Sequence, residues 1–527
     1  MGTSSLHDDS RFIEDVLVTL RAKMPSALDA PFFDDGIDFA GITTKLSSWN
    51  AVLNPVGIEL CEFEPGKLAV SSFGTYRDLT GTDSLVQEAA VAFYWALKTF
   101  RCIKKVKFSH PMFLLHCFPF VKRAFLENDS VDVLKLYYPD EGPYSSEEFI
   151  DALKMTQLRR IDLCGLELDA SGIEKLSHLL KQNQQLEIAS LQYKLLGDVP
   201  PFLMTTLQCL PCLKRLSWRS NGLVPVEVDG IAQLLLTTGT LDELEIHYSD
   251  EDADVTVLKP VAQSLGQNHT LCALTFYYVF LCDAGAELIA NALKGNGHIK
   301  HLKLDHCEIG DVGGSAVAKM LVSNETLEEV NLSNNLMANG AGKQFAEALS
   351  VNRVLKKLSL AANHIGTSAA ILIARAVAGN DIIEEVDMGA IYSDDFASDA
   401  LEFALGDGQS EGCDNADEQL AKVFAELKSF ERITASWGDA GISELASTVK
   451  SSSKIKKVSL EGLCEISVED EKQLFEALLS NSTVEELELP STFHSMTRLL
   501  LYLPSTSGPQ HLSNAYPSQW SSTKRRQ

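Results

Sequence analysis

The sequence lacks the features expected of a membrane, secreted or nucleic-acid-binding protein. Its 527 residues include 45 lysines and arginines against 72 aspartates and glutamates, a net charge of −27 that argues against a nucleic-acid partner. The N-terminus has no apolar signal core, and no stretch is long enough to span a bilayer. Eleven cysteines lack disulfide-framework spacing, which indicates reduced thiols. We therefore expect a cytoplasmic protein without a membrane partner.

Motifs for catalysis and cofactor binding are also missing. No Gly-x-x-x-x-Gly-Lys-Ser/Thr segment is present, so no phosphate-binding loop is expected. Cys209 and Cys212 have the spacing of half a redox or zinc site, but this pair stands alone. Glu243, Glu245 and His247 share one strand face, as metal ligands or as ordinary residues of an exposed sheet would. We expect no enzyme activity, no catalytic residue, no metal and no cofactor.

What the sequence does contain is a repeat of about 28 residues. Its first apolar position falls at Ile103, Val131, Leu158, Leu186, Leu213, Leu241, Leu271, Ile299, Leu327, Leu355 and Ile383. After a longer step the pattern resumes at Phe430, Ile455 and Val484. A period this regular makes each segment one turn of a solenoid, in which stacked turns share a continuous core.

The stretch 299–321 shows how one turn folds. Leu302 and Leu304 alternate as a short strand with one buried face requires. An apolar stripe at helical spacing follows, made of Ala316, Val317, Met320 and Leu321. Stacking such turns predicts an α/β fold with a parallel sheet on the inner, concave curve and helices outside.

Several segments resemble ribonuclease-inhibitor-like leucine-rich repeats. Asn324-Glu325-Thr326-Leu327 and Asn268-His269-Thr270-Leu271 are similar to the helix-to-strand joint of that class, and Asn363-His364-Ile365-Gly366 resembles the turn after the strand. The resemblance covers roughly residues 100–490. It implies an α/β leucine-rich-repeat solenoid, or horseshoe, with the parallel β-sheet on the concave face and the helices on the convex face. Ribonuclease inhibitors, the sensor ends of NOD-like receptors and Ran GTPase-activating proteins share this repeat, so it leaves the function open.

The repeat also predicts the domain organisation. Residues 1–100 are expected to form a mostly helical N-terminal cap, with a recruitment module as the alternative. Residues 101–490 are expected to form a solenoid of about 14 turns with an acidic insertion near 406–418. Residues 491–527 are expected to hold the rest of a C-terminal cap and a disordered polar tail rich in Ser, Pro, Thr and Gln.

The concave face is the predicted binding surface, because side chains that alternate with the core positions project there. Its candidate residues are Lys105, Lys107, Arg160, Arg215, Arg219, Glu243, Glu245, Tyr277, Lys303, Asp305, Glu329, Asn331, Glu385 and Asp387. The face thus runs from basic to mainly acidic, with Tyr277 as a candidate anchor, although any solvated sheet face carries charges. A second candidate is the acidic loop, with Asp407, Glu411, Asp414, Asp417 and Glu418.

The function that the sequence favours is a non-catalytic scaffold or adaptor, a monomer that binds a protein partner with a basic surface through its concave face. One alternative is Ran-type GTPase activation, but the best matching stretch, residues 186–198, offers Lys194 and no arginine. Another alternative is an innate-immune or ubiquitin-pathway adaptor with repeats of the NOD-like-receptor type.

Overall fold

The computed structural model describes most of the chain up to residue 388 and short segments after it. The described residues are 10–24, 28, 39–73, 84–108, 118–137, 146–153, 157–196, 202–220, 224–248, 254–388, 432–434, 446, 450, 457–459, 468–481 and 486–488. They belong to two compact units, Met1–Asp250 and Glu251–Gln527, which we call the N-terminal and C-terminal units.

The N-terminal unit alternates strands and helices. Its strands are β1 (Ile58–Glu64), β2 (Lys67–Ser72), β3 (Ile103–Phe108), β4 (Val133–Tyr137), β5 (Arg160–Leu168), β6 (Ile188–Leu195), β7 (Arg215–Ser220) and β8 (Glu243–Tyr248). Its described α-helices are α1 (Ser10–Lys23), α2 (Phe39–Leu53), α3 (Ser84–Thr99), α4 (Phe118–Glu127), α5 (Ser146–Ala152), α6 (Ala170–Gln182), α7 (Phe202–Gln208) and α8 (Pro225–Thr237). A 3-10 turn, Asn54–Val56, follows α2.

The sheet of this unit follows chain order, and all its neighbours are parallel except the first pair. Strands β1 and β2 form an antiparallel hairpin around Gly66, whose φ is 77°. Strand β2 then pairs in parallel with β3, so the hairpin covers the edge that β3 would otherwise expose. The repeat pattern did not predict this hairpin, which lies within the region expected to be a mostly helical cap.

The C-terminal unit continues the same alternation. Its strands are β9 (Ala273–Tyr277), β10 (His301–Asp305), β11 (Glu329–Asn331), β12 (Lys357–Ser359), β13 (Glu385–Asp387), β14 (Arg432–Thr434), β15 (Lys457–Ser459) and β16 (Glu486–Glu488). Its described α-helices are α9 (Lys259–Leu265), α10 (Cys282–Leu293), α11 (Asp311–Leu321), α12 (Asn339–Val351), α13 (Thr367–Ala378) and α14 (Val468–Ser480). A 3-10 turn, Val255–Leu258, precedes α9. Strands β9–β13 are parallel neighbours, and β14–β16 form a separate parallel sheet.

A typical strand of the repeats, such as β10, buries one face and leaves the other accessible. On β10, Leu302 and Leu304 are fully buried, while Lys303 between them is exposed. We call the face of the sheet that carries Lys303, and the face with the matching accessible positions on the other strands, the open face. The predicted fold class is confirmed: the chain is an α/β leucine-rich-repeat solenoid with strands and helices in separate layers.

The buried stripe of α11 is centred slightly differently from the sequence-based prediction. On α11, Val317, Met320 and Leu321 are buried as expected, but Ala316 is only half-buried and Ala318 takes its place in the core. Gly313 and Gly314, one turn earlier, are also buried. The side of the helix that carries these small residues therefore faces its neighbours.

A ladder of buried asparagines joins successive repeats. Its members, Asn296, Asn324, Asn352 and Asn380, recur every 28 residues and each is at most 6% exposed. Each side-chain Nδ2 donates to a carbonyl oxygen 31 residues earlier, at 2.7–2.8 Å. Each Oδ1 accepts the backbone N–H groups that open its own strand segment. A buried amide therefore satisfies backbone groups of two repeats at once.

The N-termini of α11 and α12 are capped by an aspartate of the preceding repeat. Helix α12 begins after Ala338, whose side chain cannot cap it. The carboxylate of Asp311 instead accepts the N–H groups of Ala338, Gly340 and Ala341 at 2.7–3.0 Å. Asp283 does the same for the start of α11, with Oδ1 2.8 Å from two backbone nitrogens. Each cap thus depends on the neighbouring repeat. The negative carboxylate also interacts favourably with the positive, N-terminal end of the helix dipole.

Candidate functional site

The predicted basic residues of the N-terminal unit lie on its open face, next to acidic residues that pair with some of them. The basic members are Lys105, Lys107, Arg160, Arg215 and Arg219, on strands β3, β5 and β7. The carboxylate of Asp162 lies between two cations, 2.5 Å from Lys135 Nζ and 3.0 Å from Arg160 Nη2. Arg215 pairs with Glu243 at 3.0 Å. The expected basic stretch is therefore interrupted by a carboxylate that the analysis of the sequence had not singled out.

Glu243 and Glu245 lie on the open face of β8. His247 follows at the next alternate position, but its side chain is nearly buried. Glu245 Oε1 lies 2.5 Å from His247 Nε2, and this hydrogen bond holds the pKa of Glu245 below its usual value against the opposing effect of burial. No group of three or more His, Cys, Asp or Glu side chains among the described residues is placed to hold a metal ion.

In the C-terminal unit, Glu329 bridges two repeats. Its carboxylate lies 3.1 Å from His301 Nδ1 and 3.3 Å from Lys357 Nζ, on the strands to either side. Burial works to raise the pKa of Glu329, but Lys357 and His301 together outweigh it and lower the pKa. This predicted partner-binding residue is therefore also a link within the sheet.

The other predicted residues of this unit occupy the same face. Lys303 is exposed and forms no ion pair with a described residue. Asn331 Oδ1 accepts the backbone N–H of Ser333 at 2.8 Å, which fixes the turn after β11. Glu385 and Asp387 are half-buried on β13.

Three aromatic rings and a carboxylate meet where β9 and β10 end. Tyr277 and Asp305 are register partners on the two strands. The ring of Tyr278 stacks on that of His306, with 4.2 Å between centroids and 24° between planes. The Tyr277 ring is nearly perpendicular to both, at 74° and 85°. Asp305 Oδ1 accepts a hydrogen bond from Asn334 Nδ2 at 2.9 Å and lies 3.0 Å from His306 Nδ1. We call these five residues the Tyr277–His306 cluster.

A left-handed backbone residue recurs in four successive repeats of the C-terminal unit, and it builds one side of this cluster. Tyr278, His306, Asn334 and Ala362 follow one another at 28-residue intervals and have φ between 52° and 56°. Non-glycine residues rarely adopt this conformation, which costs energy that the surrounding structure must offset. In a regular strand this side chain would point into the core, but the left-handed conformation turns it outward, and Tyr278 is 52% exposed. Large exposed aromatic rings held in place in this way mark candidate binding surfaces.

Sequence reasoning identified Tyr277 and Asp305 but missed Tyr278 and His306. Alternation along a strand would send the residue after an open-face position into the core, and only the left-handed turn reverses this. One signal could have revealed the turn. Tyr278 and His306 are 28 residues apart, and Asn334, a residue type that tolerates the left-handed region, follows after another 28.

The acidic loop with Asp407, Glu411, Asp414, Asp417 and Glu418 lies outside the described residues. Lys194, in the stretch compared with Ran GTPase-activating proteins, is exposed on β6 and pairs with Glu167 at 3.2 Å. Cys209 is exposed and Cys212 half-buried, both as free thiols. No helix in the part of the chain that the structure describes has the length and apolar character needed to cross a membrane.

A polar cluster is also buried inside the N-terminal unit. Glu227 on α8 is 4% exposed and accepts a hydrogen bond from Tyr193 Oη at 2.5 Å, while Trp218 Nε1 donates to the same Oη at 2.7 Å. Burial raises the pKa of Glu227 to about 7, against the opposing hydrogen bonds from Tyr193 and Ser220. Burial, followed by the charge of Glu227, raises the pKa of Tyr193 well above its usual range.

Comparison with known proteins gives one family match. A model described as a leucine-rich repeat matches residues 295–318, the stretch that holds β10 and most of α11. The match covers about one repeat and agrees with the leucine-rich-repeat fold described above. No curated protein matches the chain.

Among solved structures, the chain is similar to an internalin (inlF) from Listeria monocytogenes, at 10% identity over 92% of this chain and 96% of that one, with a TM-score of 0.35. It is similar to actin-binding site 2 of leiomodin-1, at 22% identity over 23% of this chain and 71% of that one, with a TM-score of 0.20. The tropomodulin C-terminal domain of Caenorhabditis elegans gives 11% identity over 37% and 90%, with a TM-score of 0.23. None of these likenesses assigns a partner to this chain.

Proposed function

We propose that this protein is a non-catalytic scaffold that binds a partner protein through the open face of its C-terminal unit. The observation that carries the proposal is the half-exposed ring of Tyr278, held against His306 at 4.2 Å. A tyrosine offers a large contact area and few rotatable bonds, and stacking fixes this ring before a partner arrives. Binding therefore costs little side-chain entropy, which is the usual property of an interface anchor.

The charged residues around the cluster fit the rim of such an interface. Lys303, Glu329, Glu385 and Asp387 lie on neighbouring strands of the same face and remain partly accessible. Rim charges change interface energy little, but they orient the partner and speed association. Cations and carboxylates both occur here, so the rim selects a partner by charge pattern and not by net charge alone.

We infer further that the repeats are of the ribonuclease-inhibitor-like class, which agrees with their 28-residue length and with the α-helix between successive strands from β3 to β13. We also infer a location in a reducing compartment such as the cytoplasm, because no disulfide joins any of the eight described cysteines. No described residue favours GTPase activation over plain binding.

The experiment that tests the proposed function compares proteins captured from a cell lysate by three full-length forms. These are the wild type, the double variant Tyr277→Ala/Tyr278→Ala, and the control Val312→Ala/Val322→Ala. The control valines are 59% and 53% exposed at α11 and its end, in the helix layer. We expect a discrete protein bound by wild type and control and lost from the double variant. Equal capture by all three forms, with the fold intact by circular dichroism, would rule out this surface.

A further inference from the structure

The shape of the Tyr277–His306 cluster indicates which chemical group a partner would place there. Tyr278 and His306 have nearly parallel rings, and the Tyr277 ring stands nearly perpendicular to both. The three rings therefore present surfaces in two directions, and the open face of β9 and β10 lies beside them. Aromatic faces carry negative potential and attract cations that lie over them.

The carboxylate of Asp305 adds a second preference for a cation. Its contacts with Asn334 and His306 both involve Oδ1, at 2.9 and 3.0 Å. Among the described residues, none donates a hydrogen bond to Asp305 Oδ2. Asp305 keeps 22% of its side chain exposed and sits in register with Tyr277 on the adjacent strand. A ligand reaching the rings from the open face thus meets an available carboxylate oxygen at the same place.

Lys303 is the obvious competitor for this carboxylate, since it lies two residues earlier on the same face of β10. Its ammonium group is exposed and makes no ion pair with Asp305. The chain also carries a net charge of −27, which favours a basic partner over an acidic one. In the described part of the chain, no lysine or arginine pairs with this carboxylate, so a cation from a partner can approach it.

We propose that the Tyr277–His306 cluster binds the guanidinium group of an arginine side chain on the partner protein, an inference that rests on the proposed function. Arginine fits better than lysine for two reasons. Its planar guanidinium group stacks on aromatic rings while it donates in plane to a carboxylate, and it is more weakly hydrated than an ammonium group. An anionic group is disfavoured, because Asp305 and the ring faces both repel it.

Fluorine NMR of the full-length protein labelled with 3-fluorotyrosine tests the proposal. The signals of Tyr277 and Tyr278 are assigned from the variants Tyr277→Phe and Tyr278→Phe. The probe is the peptide acetyl-Gly-Arg-Gly-amide, compared with the same peptide containing citrulline, which has nearly the same shape but no charge, and with the lysine peptide. We expect saturable shifts at both tyrosines with arginine, and about tenfold weaker affinity for citrulline.

Two variants separate the carboxylate from general surface charge. Asp305→Asn keeps Oδ1 as an acceptor for Asn334 and removes the charge, so affinity for the arginine peptide should fall about tenfold. Glu287→Gln, which removes the same charge at an exposed position of α10, should not lower it. Equal affinity for arginine and citrulline, no effect of Asp305→Asn, or shifts confined to other tyrosines would each overturn the arginine inference. Continued loss of lysate capture in the tyrosine double variant would then leave the proposed function standing.

Discussion

The rings of Tyr278 and His306 stack with 4.2 Å between their centroids, although the residues belong to different repeats. Both have a left-handed backbone, with φ of 52° and 54°. The contact therefore arises from a turn conformation that these neighbouring repeats share, while the side chain at the turn differs from one repeat to the next. The same contact joins two repeats and holds the ring of the proposed anchor in place.

The first prediction concerns the acidic rim. Replacing Glu329, Glu385 and Asp387 together by Gln, Gln and Asn should weaken capture of the partner, chiefly by slowing association several-fold at low salt. Stability should change little, because the ion pairs of Glu329 are partly exposed and such pairs contribute roughly 0–1 kcal/mol. Surface plasmon resonance with the captured partner measures the rates.

The matched control for that variant removes three acidic groups elsewhere. Glu287, Glu325 and Asp381 are exposed on α10 and at helix-to-strand joints, away from the open face. Their amide variants change the net charge by the same amount. If both triple variants slow association equally, the effect belongs to the overall charge and the acidic rim has no special role.

The second prediction concerns capping between repeats. Asp311→Ala should destabilise the C-terminal unit by roughly 1–2 kcal/mol, because three N–H groups at the start of α12 lose their acceptor. Hydrogen exchange of the amides at 338–341 should accelerate before that of the buried strands. Glu325→Ala, which removes an exposed carboxylate, is the control. Identical exchange in the two variants would contradict the capping role.

The third prediction concerns the asparagine ladder. Asn324→Ala leaves the carbonyl oxygen of Leu293 without this donor, and the N–H groups of Thr326 and Leu327 without their acceptor. The cost should be roughly 2–3 kcal/mol, since these groups lie in or next to the core. Urea unfolding measures it against Asn291→Ala, a variant at an exposed position of α10. A cost no larger than that of the control would show that the ladder does not couple repeats.

The fourth prediction concerns pH. The pKa of Glu227 is raised in the folded state to about 7 from its usual 4.5, so the folded protein holds this proton where the unfolded chain has released it. The contribution of Glu227 to stability should therefore be greatest below about pH 4.5 and fall as the pH rises to about 7. Above that pH the free energy of unfolding should be lower by roughly 3 kcal/mol.

Glu227→Gln should remove this dependence. Glutamine keeps an oxygen that accepts from Tyr193 and carries no charge, so the variant should be more stable than wild type at pH 8 and similar to it at pH 4.5. Urea unfolding across this range measures the difference. Glu174→Gln on the exposed side of α6 is the control. A wild-type pH profile in Glu227→Gln would mean that another group carries the dependence.

The sequence predicted the parts of the fold that repeat. Leu302 and Leu304 were placed correctly because alternation within a strand is a local property. Asn324 was recognised as part of a joint, and its burial follows from the same repeat. The β1–β2 hairpin was missed because it precedes the first full repeat, so no period marks it, although Pro65-Gly66 is a turn signal.

Longer-range features of the site were less accessible. Asp311 is the first residue of α11, but its carboxylate caps the next helix, and no local pattern reveals a partner 27–30 residues away. Asp162 was not predicted as part of the site, because most of the candidate residues around it are basic. Tyr278 and His306 were missed because a left-handed turn cannot be deduced from alternation.

The central claim, that a partner protein binds the open face where β9 and β10 end, is tested most directly by site-specific photo-crosslinking. The photoreactive residue p-benzoylphenylalanine is introduced at position 278 in one form and at position 312 in another; both positions are more than half exposed, the second in the helix layer. Irradiation in lysate should give a discrete crosslinked protein from position 278 and none from position 312. The same protein crosslinked from position 312 and absent from position 278 would contradict the account.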